Sequence, residues 1–362
     1  MEENKEKEKE NEVLEKVYHI AFNDDSSCFC VATDKGFRVY NTYPIKCKIK
    51  RDIEGGIRII DLLSRSNVFA FVGTGQNENY KQNSLILWDE NEAKVIYNIS
   101  FLSEIKNLKM KRTKIFLICE NKIVVYTLGN YEKIDTINTC SNKNGILGIS
   151  LDPKLNIIAC PSTDTGKIII KSYDEKKDGN FIKKEINAHQ GEIIALTLNF
   201  EGTLVASASE KGTLIKIFRL KDCSLIQELR RGTYASDIYS ICFDSKSLYL
   251  ACSSGNGTIH IFNIKNDDIK NEAQNQKSVF GTVANFFGIQ NEYLNSEWSF
   301  AQFRLPYKEK TLISFGSDNG HNVVILTYDG MYYLAEFDPK NGGECQNALT
   351  QNYLKFEIQE ED

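Results

Sequence analysis

The chain has 362 residues, is 41% apolar and 11% aromatic, and carries a formal charge of −5. An acidic balance lacks the global positive field that holds nucleic acid, so any anion site must rest on a local basic patch. No stretch of about 18 apolar residues occurs, so no membrane-spanning helix is expected.

Residues 1–12 are almost wholly Glu, Lys and Asn. They read as a solvated, disordered tail, and their charge sets them apart from a signal peptide. Beyond them one phrase recurs: a small or turn residue, then alternating apolar residues, often ending in an aromatic. It starts at Gly36, Ser84, Lys122, Gly166, Gly212, Gly257 and Gly330, at intervals near 45 residues until a last one of 73. A second apolar run precedes most copies by about ten residues, as at Cys28 to Ala32, Val68 to Val72 and Leu204 to Ser207. Short alternating runs bounded by turn residues predict strands. A period of 40–45 residues with several strands per unit predicts the blades of a β-propeller. Seven copies predict an all-β, seven-bladed propeller with WD40-like repeats. One blade cannot bury both of its faces, so residues 13–362 are expected to form a single domain. The closing blade, Leu312 to Phe337, is expected to gain a strand from Tyr353 to Ile358 or from Val13 to Val17.

The 73-residue interval predicts a long loop over 266–297. It starts polar and turns apolar at Val279, Phe280, Val283, Phe286, Phe287 and Ile289. Aromatics exposed in a long loop need a partner surface, unless the loop folds back onto the propeller's side. Ten cysteines are scattered without a Cys-x-x-Cys, mostly inside apolar runs. Buried, reduced thiols and a reducing cytosol are the expectation.

The basic patch lies between Glu210 and Arg231, where six cations face three anions. Arg230 and Arg231 sit at the end of an apolar run, and successive side chains of a strand point to opposite faces. Two adjacent arginines therefore suit two separate anion sites. The flanking blades carry parallel polar sets: Ser207, Ser209, Thr213 and Lys216 in one, and Ser254, Thr258 and His260 in the other, with His189 ahead of the first. Hydroxyls donate to phosphate oxygens, glycine turns let backbone N–H groups approach, and arginine adds charge-assisted bonds. His189 also fits a structural histidine of propeller repeats, and the Ser and Gly-Thr pairs also fit ordinary hairpin chemistry.

Leu229-Arg230-Arg231-Gly232 resembles the Phe/Leu-Arg-Arg-Gly motif of the PROPPINs, the WIPI-like seven-bladed propellers that bind phosphoinositides in autophagy. Ser207 to Thr213, Gly257 to His260, Trp298 to Pro306, and Asn67 to Gly73 ahead of Trp88-Asp89 are similar to that family as well. The resemblance implies two rim sites for phosphatidylinositol 3-phosphate and 3,5-bisphosphate. The first would use His189, Ser207, Ser209, Thr213, Lys216 and Arg230, with Lys216 where many relatives carry Arg. The second would use Arg231, Gly232, Ser254, Thr258 and His260. The loop 266–297 would dip into the bilayer. It further implies a monomeric scaffold in the cytoplasm, peripheral to autophagosomal, endosomal or vacuolar membranes, with autophagy or trafficking proteins as partners.

Two other classes stand beside this one. A protein-interaction propeller without direct lipid binding would share the fold. An enzyme fits poorly: His19, His189, His260 and His321 make no metal-ligand spacing, and no nucleophile elbow or phosphate loop occurs. No catalytic residue, metal or cofactor is expected.

Overall fold

A computed structural model describes residues 15–173, 181–265, 275–277, 296–316 and 320–358. Seven antiparallel sheets succeed one another along the chain as blades 1 to 7, over 17–52, 57–100, 105–138, 148–187, 193–230, 238–304 and 311–352. The repeated phrase marks the third strand of every blade, from Gly36–Asn41 in blade 1 to Met331–Glu336 in blade 7. Most residues of the third strands are buried, because a blade packs a neighbour on either side, and the polar positions include Lys216 in blade 5 and His260 in blade 6. The core is accordingly divided into seven clusters, each built from two consecutive blades.

Ring closure differs from the expectation. Blade 7 is completed by Gln346–Asn352, while Val17–Phe22 is the first strand of blade 1 and Tyr353–Lys355 is a 3-10 turn. Among the described residues no strand is exchanged between the two, and side chains join them instead. Phe29 stacks on Tyr40 at 4.8 Å, and the Tyr353 ring packs edge-on against both. The Tyr332 hydroxyl donates to the Thr42 carbonyl at 3.0 Å. An aromatic cluster suits a seam without a ladder, since it buries much area at low cost in side-chain freedom.

Lysines lock neighbouring blades. The buried Lys111 ammonium, from blade 3, donates to the carbonyls of Ser150 (2.7 Å), Asp152 (2.9 Å) and Leu155 in blade 4. Lys184 in the same way reaches the Leu220 and Lys221 carbonyls of blade 5. Removing a buried donor leaves its acceptors unsatisfied. Lys111→Met is therefore expected to cost about 2–4 kcal/mol, read from the midpoint of a urea melt. All ten cysteines are free thiols, and six of them are buried.

Candidate functional site

The arginine pair ends the outer strand of blade 5, Leu225–Arg230. This strand pairs antiparallel with Leu214–Arg219, with Leu214 opposite Arg230 and Lys216 opposite Glu228. Both arginines are 2% exposed, yet their guanidinium groups find different partners. Arg230 Nε donates to Ser296 Oγ at 2.7 Å, at the far foot of the long loop. Arg231 Nε donates to the Gly212 carbonyl at 2.7 Å, and Nη2 to the Tyr234 carbonyl at 2.6 Å. Carbonyls leave the Arg231 charge uncancelled, and no carboxylate among the described residues forms an ion pair with it.

Arg231 opens onto a cavity of about 430 Å³, inside the usual range for ligand sites of roughly 300–1,000 Å³. Its wall is built by two neighbouring strands of blade 6. Thr258 and His260 stand directly opposite Arg304 and Gln302 in the ladder, so all four share one face. Gly232, Tyr234, Asn256, Gly257 and Trp298 are among the other lining residues. A Cβ on Gly232 would meet nothing within 4 Å, so packing does not demand glycine there. A side chain would instead project at the cavity mouth beside Arg231. His260 is held through Nδ1 by the Ser299 hydroxyl at 3.2 Å. Burial, with Arg231 and Arg304 nearby, depresses its pKa to about 4. The imidazole is therefore neutral at pH 7, and the cavity's positive charge comes from Arg231 and Arg304.

The second cluster lies on blade 5. Ser207 and Lys216 are cross-strand neighbours, and Ser209 and Thr213 bound the hairpin whose Gly212 has φ +59. A Cβ at Gly212 would lie 1.8 Å from the Ser236 carbonyl oxygen, so only glycine fits under the turn that follows the arginines. His189 Nε2 and Ser207 Oγ share a hydrogen bond of 2.9 Å. Burial and the Lys216 charge depress the His189 pKa to about 4. Lys216 Nζ lies 3.2 Å from Glu228 Oε1, and Arg219 lies 3.8 Å from Asp222. Part of the local basic excess is thus cancelled on the blade face.

Of the residues expected to bind, Arg231, Gly232, Thr258 and His260 meet in the cavity, while Ser254 is buried and does not line it. Arg304 and Gln302 were not singled out. The run Trp298 to Pro306 contains them, but only the pairing of Ala301–Arg304 with Thr258–Asn263 places them opposite Thr258 and His260. Val279, Phe280, Val283, Phe286, Phe287 and Ile289 lie outside the described residues. The feet of their loop are described. Gln276–Lys277 pairs with Glu297–Trp298, which runs parallel to Leu229–Arg230. Glu297 accepts hydrogen bonds from Gln227 and Asn275, each at 2.8 Å, and from Lys265. Both ends of the insertion are therefore tied to the strand that carries the arginines.

The family model for PROPPIN matches residues 17–354. Autophagy-related protein 18e of Arabidopsis thaliana is 33% identical over 348 residues, covering 95% of this chain and 89% of that protein. Among solved structures, Kluyveromyces lactis Hsv2 with complete loop 6CD superposes with a TM-score of 0.76 at 23% identity, covering 94% of this chain and 99% of that one. KlAtg21, solved in complex with the coiled-coil of AgAtg16, gives 0.67 at 23% identity, with 94% and 100% covered.

Proposed function

The chain belongs to the PROPPIN family, and from that membership we propose that it is a bivalent sensor of phosphatidylinositol 3-phosphate and 3,5-bisphosphate, acting as a scaffold on autophagic or related organelle membranes. The observation that carries this reading is the cavity in which Arg231, Arg304, Thr258 and His260 converge, with Arg230 turned to a separate set of partners one residue away. Charge-assisted and hydroxyl donors on one concave wall suit a phosphorylated inositol ring. The other site takes His189, Ser207, Ser209, Thr213, Lys216 and Arg230. Once one head group is held, binding of the other becomes intramolecular, and avidity exceeds either affinity by ~10²–10⁴. The loop 266–297, pinned at both feet, would add apolar insertion.

This role is binding and recruitment rather than catalysis. Among the described residues no helix is long and apolar enough to cross a membrane, and the membrane association proposed here is peripheral. The coiled-coil in complex with KlAtg21 supports recruitment of an autophagy protein to the docked propeller.

Flotation of the purified protein with vesicles containing phosphatidylinositol, its 3-phosphate, its 4-phosphate or its 3,5-bisphosphate tests the reading. Flotation selective for the 3-phosphorylated lipids is expected. Indifference to the head group would leave a propeller that binds only proteins. Within the wild-type background, Arg304→Ala is expected to weaken one of two head-group sites about tenfold, by loss of a charge-assisted bond. Calorimetry with soluble inositol 1,3-bisphosphate would show one site weakened and the other unchanged.

A further inference from the structure

The turn after the arginines carries an aromatic that the head-group reading leaves unused. Tyr234 is 82% exposed, and its hydroxyl makes no hydrogen bond among the described residues. The turn beneath it is nevertheless fixed. The Arg231 amide donates to the Thr213 carbonyl at 2.9 Å, and the Ser236 amide reaches the Lys211 carbonyl at 3.4 Å. Arg231 Nη2 holds the Tyr234 carbonyl itself, and Gly212 packs without clearance under Ser236. An exposed aromatic on a rigid turn gains nothing inside the fold and meets a partner surface without ordering cost.

Its setting identifies the partner. Tyr234 lines the same cavity as Arg231 and stands at its outer edge. Arg304 and Leu305 line the cavity too, and the chain continues from them through the exposed Pro306, Tyr307 and Lys308, with the Tyr307 carbonyl oxygen 3.4 Å from where a Cβ on Gly257 would lie. Tyr307 is tied down by a 2.6 Å bond from its hydroxyl to Asp329, whereas Tyr234 is 82% exposed. An amphipathic ring at the edge of a cavity that holds two arginines is what an anionic lipid surface recruits, with the ring at head-group depth.

We propose that Tyr234 is a second membrane contact, separate from the long loop, that enters the lipid interface when the Arg231 cavity holds a phosphorylated head group. This rests on the phosphoinositide reading of that cavity. Arg231 would then act twice, once on the phosphate and once on the carbonyl that presents the ring.

Three proteins, the wild type, Tyr234→Ser and Tyr234→Trp, are compared on two probes: phosphatidylcholine vesicles containing phosphatidylinositol 3-phosphate, and soluble inositol 1,3-bisphosphate. Tyr234→Ser is expected to bind the vesicles roughly tenfold less tightly and the soluble probe unchanged. Tyr234→Trp is expected to keep vesicle affinity and to show tryptophan quenching by bromine-labelled lipid beyond that of wild type, which carries Trp88 and Trp298. Wild-type vesicle affinity in Tyr234→Ser, or no added quenching in Tyr234→Trp, overturns the proposal while leaving the cavity reading intact. Weakened binding to both probes also overturns it, since the ring would then be serving the cavity. A wild type that binds neither probe defeats the cavity reading and this proposal together.

Discussion

Replacing Arg230 and Arg231 together with Thr is expected to weaken binding to phosphoinositide vesicles by roughly a hundredfold or more, with the propeller still folded. Each guanidinium addresses its own neighbourhood, Ser296 for one and the Gly212 and Tyr234 carbonyls for the other. A charge-assisted bond contributes about 1.5–3 kcal/mol, so either single variant should lose most of one site. Losing one site also removes the avidity term, so a single variant falls on vesicles further than on soluble inositol 1,3-bisphosphate. Calorimetric stoichiometry should step from two to one to none across wild type, single and double variants. The double variant gives up the Arg231 bonds to two carbonyls, and its melt should shift down while remaining cooperative. A double variant that binds vesicles like wild type would remove both arginines from the mechanism.

The propeller was legible because its signal is local and repeated. Every third strand carries the same phrase, nearly continuous in apolar residues in Ser84–Asp89 and alternating in Thr258–Asn263. Closure was not legible, because no strand signature marks it. It rests on Phe29, Tyr40, Tyr332 and Tyr353, four aromatics from both ends of the chain, and only packing brings them together. The locks made by Lys111 and Lys184 were hidden for the same reason. Each pairs with carbonyls of the next blade, and carbonyls leave no trace in residue identity.

The candidate site divides along the same line. Arg230, Arg231 and the Ser/Thr sets stand close in sequence or repeat in phase, so the sequence alone picks them out as candidates, although Ser254 does not line the cavity. Arg304 and Gln302 come after the long insertion and join Thr258 and His260 only through strand register. The pairing of Lys216 with Glu228 follows from cross-strand register within blade 5, and it trims the charge that a count over the segment suggests. Tyr234 was missed because exposure is not written in sequence. A tyrosine in a turn is unremarkable until its neighbours are known to hold that turn rigid.

Acidification is expected to destabilise the apo protein steeply between pH 6.5 and about 4. Burial depresses His19 to about 3 and His189 and His260 to about 4, all below their ordinary value near 6.5. In that window the unfolded chain binds protons that the folded chain refuses, so stability falls as pH falls. At pH 5 each histidine withdraws about 1–2 kcal/mol, and the three together about 3–6 kcal/mol, after discounting those that retain some exposure. Urea midpoints at pH 7 and pH 5 measure the sum, and equal midpoints would contradict the burial of these rings. A ligand divides the three. Phosphate held near His189 and His260 would favour their protonated forms and blunt the acid loss. The other charges acting on His19 are those of Lys109, Lys310 and Arg58, and none of these belongs to either head-group set. Saturating inositol 1,3-bisphosphate should therefore recover the share of two histidines and leave that of His19, and recovery of none would place the anion away from both imidazoles.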